Sequence, residues 1–241
     1  MTPPAHLKLP FGFDRARLQA DLHKVLQAEW KAHYNTRDYI GSWTSLALLA
    51  AGGDAAMINA QPVNGLPVAE TPLMAGCDYF RQVIESFEFP KLNARLLCLA
   101  PGAYIKPHRD NCLGYEDGEF RLHIPLVTND QVEFLLAGER IVMAEGSCWY
   151  INANEEHSVA NRGSADRIHL VIDGVRNEWS DQLFFSLARP DAFVRVPKAM
   201  AATQQQAMLE ELRRLGTPAA LALMAQKSAQ LQQAAVTPEG K

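Results

Sequence analysis

The run FRLHIPLV, residues 120–127, changes character at nearly every step. In an extended chain successive side chains point to opposite faces, so Arg121 and His123 share one face while Leu122, Ile124 and Leu126 share the other. The run predicts a strand with an apolar back and a basic front. Its neighbours have the same texture. Arg95–Ala100 is apolar and stops at Pro101-Gly102, and Val132–Leu136 and Arg140–Met143 flank a turn at Ala137-Gly138-Glu139. Cys148–Asn152 and Arg167–Asp173 (RIHLVID) complete the set. Short strands separated by turns, with no helix between them, predict an antiparallel sandwich or barrel near residues 91–190.

Outward from this block the texture changes. Leu18, Leu22, Val25 and Leu26 follow Asp14 at helical spacing, which predicts a helix from Asp14 to Trp30 with Asp14 as its N-cap. Residues 76–88 (GCDYFRQVIESFE) predict a second helix, ended by Pro90. Between them, residues 41–72 hold Gly52-Gly53, Asn64-Gly65 and three prolines, which predicts irregular loops around short extended pieces. Downstream, Ala199–Val236 is rich in Ala, Gln and Leu and broken only at Gly216-Thr217-Pro218, so it reads as two helices. Such a pair either caps a domain or provides a homo-oligomer contact, and capping is the commoner use. The organisation expected is one domain over residues 1–195 and a helical extension over 196–241.

Composition narrows the classes of partner. The 241 residues carry 23 Lys+Arg against 27 Asp+Glu, a formal charge of −4, without the basic excess of a nucleic-acid binder. No run of about 18 apolar residues exists, so no membrane helix is expected. The opening Met-Thr-Pro-Pro-Ala-His lacks the basic and apolar regions of a secretory signal. The four cysteines form no CxxC pair and read as free thiols, which points to a reducing cytoplasm.

The chemistry concentrates in PGAYIKPHRD (Pro101–Asp110) and EEHSVANRGSADRIHL (Glu155–Leu170). His108 and Asp110 lie one residue apart and share a face of an extended segment. His157 follows far enough downstream to cross a barrel and return. Two imidazoles and a carboxylate form the facial triad of non-haem Fe(II) oxygenases, which leaves coordination positions open. Alone, the pair reads equally well as a loop histidine beside a solvated carboxylate: seven histidines and 27 acids give about 0.8 His-x-acid pairs by chance. Arg167 adds weight. It opens an otherwise apolar strand, and a guanidinium is a bidentate clamp for a carboxylate such as the distal one of 2-oxoglutarate. Arg121 and His123 would add a basic pair beside an anion-binding site. His169 shares the face of Arg167 and reads as pocket-lining or structural, not as a ligand.

Taken together, PGAYIKPHRD, RLHIPL, the Gly146-x-x-Trp149 strand and EHSVANRGSADRIHLVID resemble the aspartyl/asparaginyl β-hydroxylase family, which includes hydroxylases of free proline. The resemblance is strongest from Arg95 to Asp173, continues weakly at Trp43 and Glu70–Leu73, and does not reach the tail. It implies a double-stranded β-helix (jelly-roll, cupin-like) flanked by helices, with Fe(II) as metal and 2-oxoglutarate and O2 as co-substrates. On it, His108, Asp110 and His157 fall on metal ligands, Arg167 on the clamp of the distal carboxylate, and Arg121 and His123 near the co-substrate's other end. Two departures matter. Members acting on protein modules have glycine where this chain has Asp110, as the free-amino-acid hydroxylases do not, and a co-substrate-contacting serine aligns with Leu97.

The function this implies is hydroxylation of an amino acid or a small molecule derived from one, coupled to decarboxylation of 2-oxoglutarate to succinate. Peptidyl aspartyl/asparaginyl hydroxylation is the near alternative, and a non-catalytic cupin-like metal or carboxylate binder is the alternative of a different class. Asn111, Tyr115 and Trp43 are the expected substrate contacts, together with the loops of residues 52–72.

Overall fold

A computed structural model of the chain describes residues 2–58, 66–110, 112–194 and 213. The chain divides into two compact units, Met1–Arg195 and Val196–Lys241. Apart from Arg213, the second unit, and with it the expected helical pair, lies outside the described residues.

Strand β1 (His6–Gly12) leads into helix α1 (Arg15–Val25), where Asp14 accepts a hydrogen bond from the Arg17 amide at 3.0 Å. The short β2 (Lys31–Ala32) and β3 (Tyr39–Ile40) precede β4 (Trp43–Ala51), β5 (Val68–Glu70) and helix α2 (Asp78–Glu85). Then come β6 (Lys91–Leu99), β7 (Tyr104–His108), β8 (Glu119–Val127), β9 (Val132–Leu136) and β10 (Glu139–Arg140). The described unit closes with β11 (Ser147–Ile151), β12 (His157–Asn161), β13 (Arg167–Val175) and helix α3 (Glu178–Leu187).

These strands form two antiparallel sheets. The eight-stranded one runs β1-β11-β8-β13-β6-β4-β2 with β5 on β4, and the five-stranded one runs β10-β9-β12-β7-β3. From β6 to β13, apart from the β9–β10 hairpin, the chain alternates between the sheets, which is the double-stranded β-helix, or jelly roll. The period-2 rule then assigns each strand two tasks. From the large sheet Leu96, Leu122, Ile124, Leu170 and Ile172 join α1, α2 and α3 in one apolar core. The residues between them (Leu97, Leu99, Val171) meet Phe134, Leu136 and Val159 of the small sheet in a second core inside the barrel.

Three expectations are corrected. Residues 43–51 are not loop but the long strand β4, flanked by β6 and β2. Both of its faces are covered, so its near-continuous apolar run shows no alternation to betray a strand. The expected strand Arg140–Met143 shrinks to β10, because Ile141 and Met143 bury themselves in the barrel core. Ala137 (φ 50°) and Gly138 (φ 84°) do form the hairpin turn, both in the left-handed region that a two-residue turn of this hand requires. Helix α3 was not expected at all. Asn177 caps it by accepting from the Ser180 amide at 3.0 Å, while Ser180 Oγ accepts from the Asn177 amide at 2.9 Å.

Candidate metal centre

The β7–β12 pairing sets the site. His108 and His157 are direct cross-strand partners, and their ring centroids lie 4.2 Å apart. Each ring is fixed in the same way. His108 Nδ1 bonds the Lys106 carbonyl at 2.8 Å, and His157 Nδ1 bonds the Glu155 carbonyl at 2.9 Å. A carbonyl only accepts, so each Nδ1 carries a proton and Nε2 is the ring atom left to bind a metal. Burial, foremost, pushes the His157 pKa down to about 4, which keeps that ring neutral at physiological pH. Asp110 stands just past the end of β7, with Oδ1 3.7 Å from His108 Nε2. Ligand atoms of His108, Asp110 and His157 all lie within 4.8 Å of one another. Two imidazole Nε2 atoms and one carboxylate oxygen are a donor set that suits a divalent iron-type ion.

A buried ionic chain holds the carboxylate. Arg121 Nη1 donates to Asp110 Oδ2 at 2.7 Å and so leaves Oδ1 for the metal. The same guanidinium is clamped from behind by Asp173, Nε to Oδ1 at 2.7 Å and Nη2 to Oδ2 at 3.0 Å. Asp173 also accepts from Arg95 Nη2 at 3.0 Å and Asn93 Nδ2 at 2.9 Å. The two arginines and two aspartates balance to zero charge. Burial alone would raise both carboxyl pKa values, but it is outweighed by Arg121 acting together with His157 and His108 at Asp110, and with Arg95 and Asn93 at Asp173. Both are held below the ordinary range as anions.

Arg167, at the head of β13, is the contrast. It is 2% exposed, and among the described residues no carboxylate lies within ion-pair reach of it. Its Nη2 donates to His169 Nδ1 at 2.9 Å, and its Nε has no partner. Burial lowers its pKa to about 9. Since His169 Nδ1 is an acceptor there, His123 Nδ1, 3.4 Å away, must be the donor in their contact. Burial holds both rings well below the ordinary histidine pKa, so both are neutral. A buried, unpaired guanidinium in the cavity that holds the metal ligands fits a carboxylate ligand.

That cavity, about 770 Å³ including its mouth, brings together His108, Asp110, His157, Arg121, His123, Arg167 and Trp43. Tyr115 is not among them, which corrects its assignment as a substrate contact. Its ring is fully buried on the helix side, stacked on Phe184 at 3.8 Å, with its hydroxyl 2.8 Å from Ser180 Oγ and Asp181 Oδ1. Asn111 and residues 59–65 lie outside the described residues. The cavity also reveals residues that sequence reading passed over: Arg95, and His33, Tyr34, Asn35 and Asp38 of the β2–β3 connection. His33 stacks on Trp43 with centroids 3.5 Å apart. The pairing pattern was the missing signal: Arg95 shares the inward face of β6 with Leu97, as alternation from Leu97 allows.

The chain belongs to the aspartyl/asparaginyl β-hydroxylase family, whose sequence model matches residues 14–177. It is similar to an L-proline cis-4-hydroxylase of Rhizobium meliloti (strain 1021), with 29% identity over 188 residues that cover 76% of this chain and 61% of that one. The chain thus spans about three fifths of the length of that relative. Among solved structures it resembles an oxidoreductase of the 2OG-Fe(II) oxygenase family from Burkholderia pseudomallei. The TM-score is 0.50 and the identity 15%, over 73% of this chain and 87% of that one. At this identity the likeness speaks for the fold. No helix among the described residues is long and apolar enough to cross a membrane.

Proposed function

We propose that this chain is an Fe(II)- and 2-oxoglutarate-dependent hydroxylase of a free amino acid or a close derivative, with residues 1–195 as the oxygenase domain and 196–241 as a helical extension. One observation carries the reading: a single cavity holds a His-His-carboxylate donor set and, apart from it, a buried guanidinium with no carboxylate partner among the described residues. The family membership and the proline hydroxylase relative support it, and Asp110 favours a small-molecule substrate.

His108 Nε2, His157 Nε2 and Asp110 Oδ1 would hold the metal. When bound, the iron and 2-oxoglutarate together supply the oxidising chemistry: O2 is consumed, 2-oxoglutarate becomes succinate and CO2, and a substrate C–H becomes C–OH. The protein's own part is positional. Backbone carbonyls of Lys106 and Glu155 fix the ligand tautomers, and Arg121 turns Asp110 and keeps it ionised. Arg167, steadied by His169, anchors the distal carboxylate. Arg121, expected beside the co-substrate, has its task in holding Asp110. Trp43 and His33 offer a flat wall for the substrate.

The test is substrate-stimulated 2-oxoglutarate consumption with Fe(II) and O2, screened over the twenty amino acids and short peptides. Succinate should form with the wild type and not with His108→Ala or Arg167→Ala. Stable binding of metal and 2-oxoglutarate with no succinate under any condition would leave a binding protein.

A further inference from the structure

A second space reaches Arg167. This groove, about 1160 Å³ including its open mouth, is lined by residues 128–130, 132 and 134, the segment 140–145, Arg15, Arg167 and His169, and by no metal ligand. It shares only Arg167 and Phe134 with the metal cavity. These two side chains pack cation over ring, 5.8 Å from guanidinium carbon to centroid, and both are buried. They form the partition between the two spaces.

The groove side of the partition is built for an anion. Arg167 Nε, buried in the partition, has no hydrogen-bond partner among the described residues. His169, which steadies Arg167, lines the groove and not the cavity. Arg140 Nη2 donates to the carbonyls of Asp130 at 2.6 Å and Val132 at 3.0 Å, which orients its charge without neutralising it. Arg15 is paired with Glu145. Three arginines thus face two carboxylates, Asp130 and Glu145, in the groove lining. A dianion coming through the metal cavity instead meets the Asp110 carboxylate and, during turnover, the substrate.

We propose that this groove is a port through which dicarboxylates reach and leave Arg167, 2-oxoglutarate entering and succinate departing, with Phe134 as the gate. The proposal rests on the reading of Arg167 as the co-substrate anchor. A port has a kinetic signature that a binding subsite lacks: narrowing it slows entry and exit by the same factor and leaves the equilibrium constant alone.

The experiment measures association and dissociation of 2-oxoglutarate, and separately of succinate, by stopped-flow tryptophan fluorescence on the full chain loaded with Mn(II) without oxygen. Val142, 72% exposed, and Ala144, also exposed, line the groove and tolerate bulk. Val142→Tyr and Ala144→Phe should each slow both rates about tenfold with Kd within about twofold of wild type. Arg140→Glu should slow association at low salt, with the effect fading as ionic strength rises. Unchanged rates in all three variants, with wild-type binding intact, overturn the port and leave the co-substrate reading standing. A raised Kd without matched slowing also overturns it, since the groove would then be a subsite. Absence of saturable 2-oxoglutarate binding by the wild type overturns the anchor reading and the port together.

Discussion

The two faces of the large sheet are equally buried and chemically opposite. On β8 and β13, Leu122, Ile124, Leu170 and Ile172 face the helices, while Arg121, His123, Arg167, His169 and Asp173 face the barrel. Burying each apolar side chain stabilises the fold by about 1.5–3 kcal/mol. Burying a charge costs free energy unless a partner offsets it. The protein offsets that cost for Arg95 and Arg121 with Asp173 and Asp110, but among the described residues Arg167 has no such partner. Burial therefore does not separate core from site. The state of the buried charges does, and the one left unbalanced marks where a ligand's charge belongs.

Arg167→Met tests that contrast most severely. Methionine keeps much of the volume and removes a lone buried cation, so thermal stability should hold or rise, while affinity for 2-oxoglutarate falls at least about 100-fold. Calorimetric titration alongside a melting curve reads both. A lowered Tm with binding retained would place Arg167 with the structural residues. Phe184→Ala is the converse. Phe184 is fully exposed to nothing but protein, stacked on Tyr115 and edge-on to Phe120 and Tyr150. Its loss should cost about 3–5 kcal/mol in urea unfolding. Mn(II) affinity of the folded fraction should stay unchanged, because among the described residues none of the helix-side core lines the cavity.

The same contrast explains what could be read from the sequence. The alternation in residues 120–127 and 167–173 is sharp because one face is apolar and the other charged, and it led to the strands and to the inward set. Strand β4 is covered on both sides and lost its alternation, so it read as loop. Tyr115 sits four residues from a run of site residues in sequence, yet the 3-10 turn Tyr115–Asp117 swings its ring to the helix side. Asp173 was visible only as the end of RIHLVID. Its role exists because β13 pairs with both β6 and β8, bringing Arg95 and Arg121 to it from opposite sides, and no local pattern encodes that meeting.

Asp173→Asn sharpens the comparison within the barrel face. Asparagine keeps the shape but loses the charge that clamps Arg121, so Asp110 should lose its orientation although no metal ligand is altered. Affinity for Mn(II), followed by electron paramagnetic resonance, should fall about 10–100-fold, the usual effect of removing a partner that orients a ligand. The conservative Asp173→Glu should recover part of it. Equal affinity in wild type and Asp173→Asn, both folded, would show that Asp110 orients itself.

The smallest effect per group is a dependence of stability on pH that belongs to the barrel side alone. Burial, above all, lowers the pKa of His33 to about 3 and holds His123 and His169 well below the ordinary value of 6.5. Folded, these rings stay neutral; unfolded, each takes a proton once the pH drops below about 6.5. Their contribution is therefore complete above that pH and declines as the pH falls, by up to about 1.4 kcal/mol per pH unit for each ring. Asp110 and Asp173 act in the same direction but at lower pH. Their depressed pKa values favour the fold at every pH above the carboxylate range, and that gain fades only below about pH 4. Between pH 6.5 and 4.5 the histidines thus act without interference from those carboxylates. Urea unfolding of the metal-free chain should show stability level above pH 7 and falling through this window. Phe184→Ala should lower the whole profile and keep its slope, whereas His169→Gln should flatten it. An equal slope in wild type and His169→Gln would mean that His169 takes up its proton alike in the folded and unfolded chain, and that its burial beside Arg167 does not hold the ring neutral.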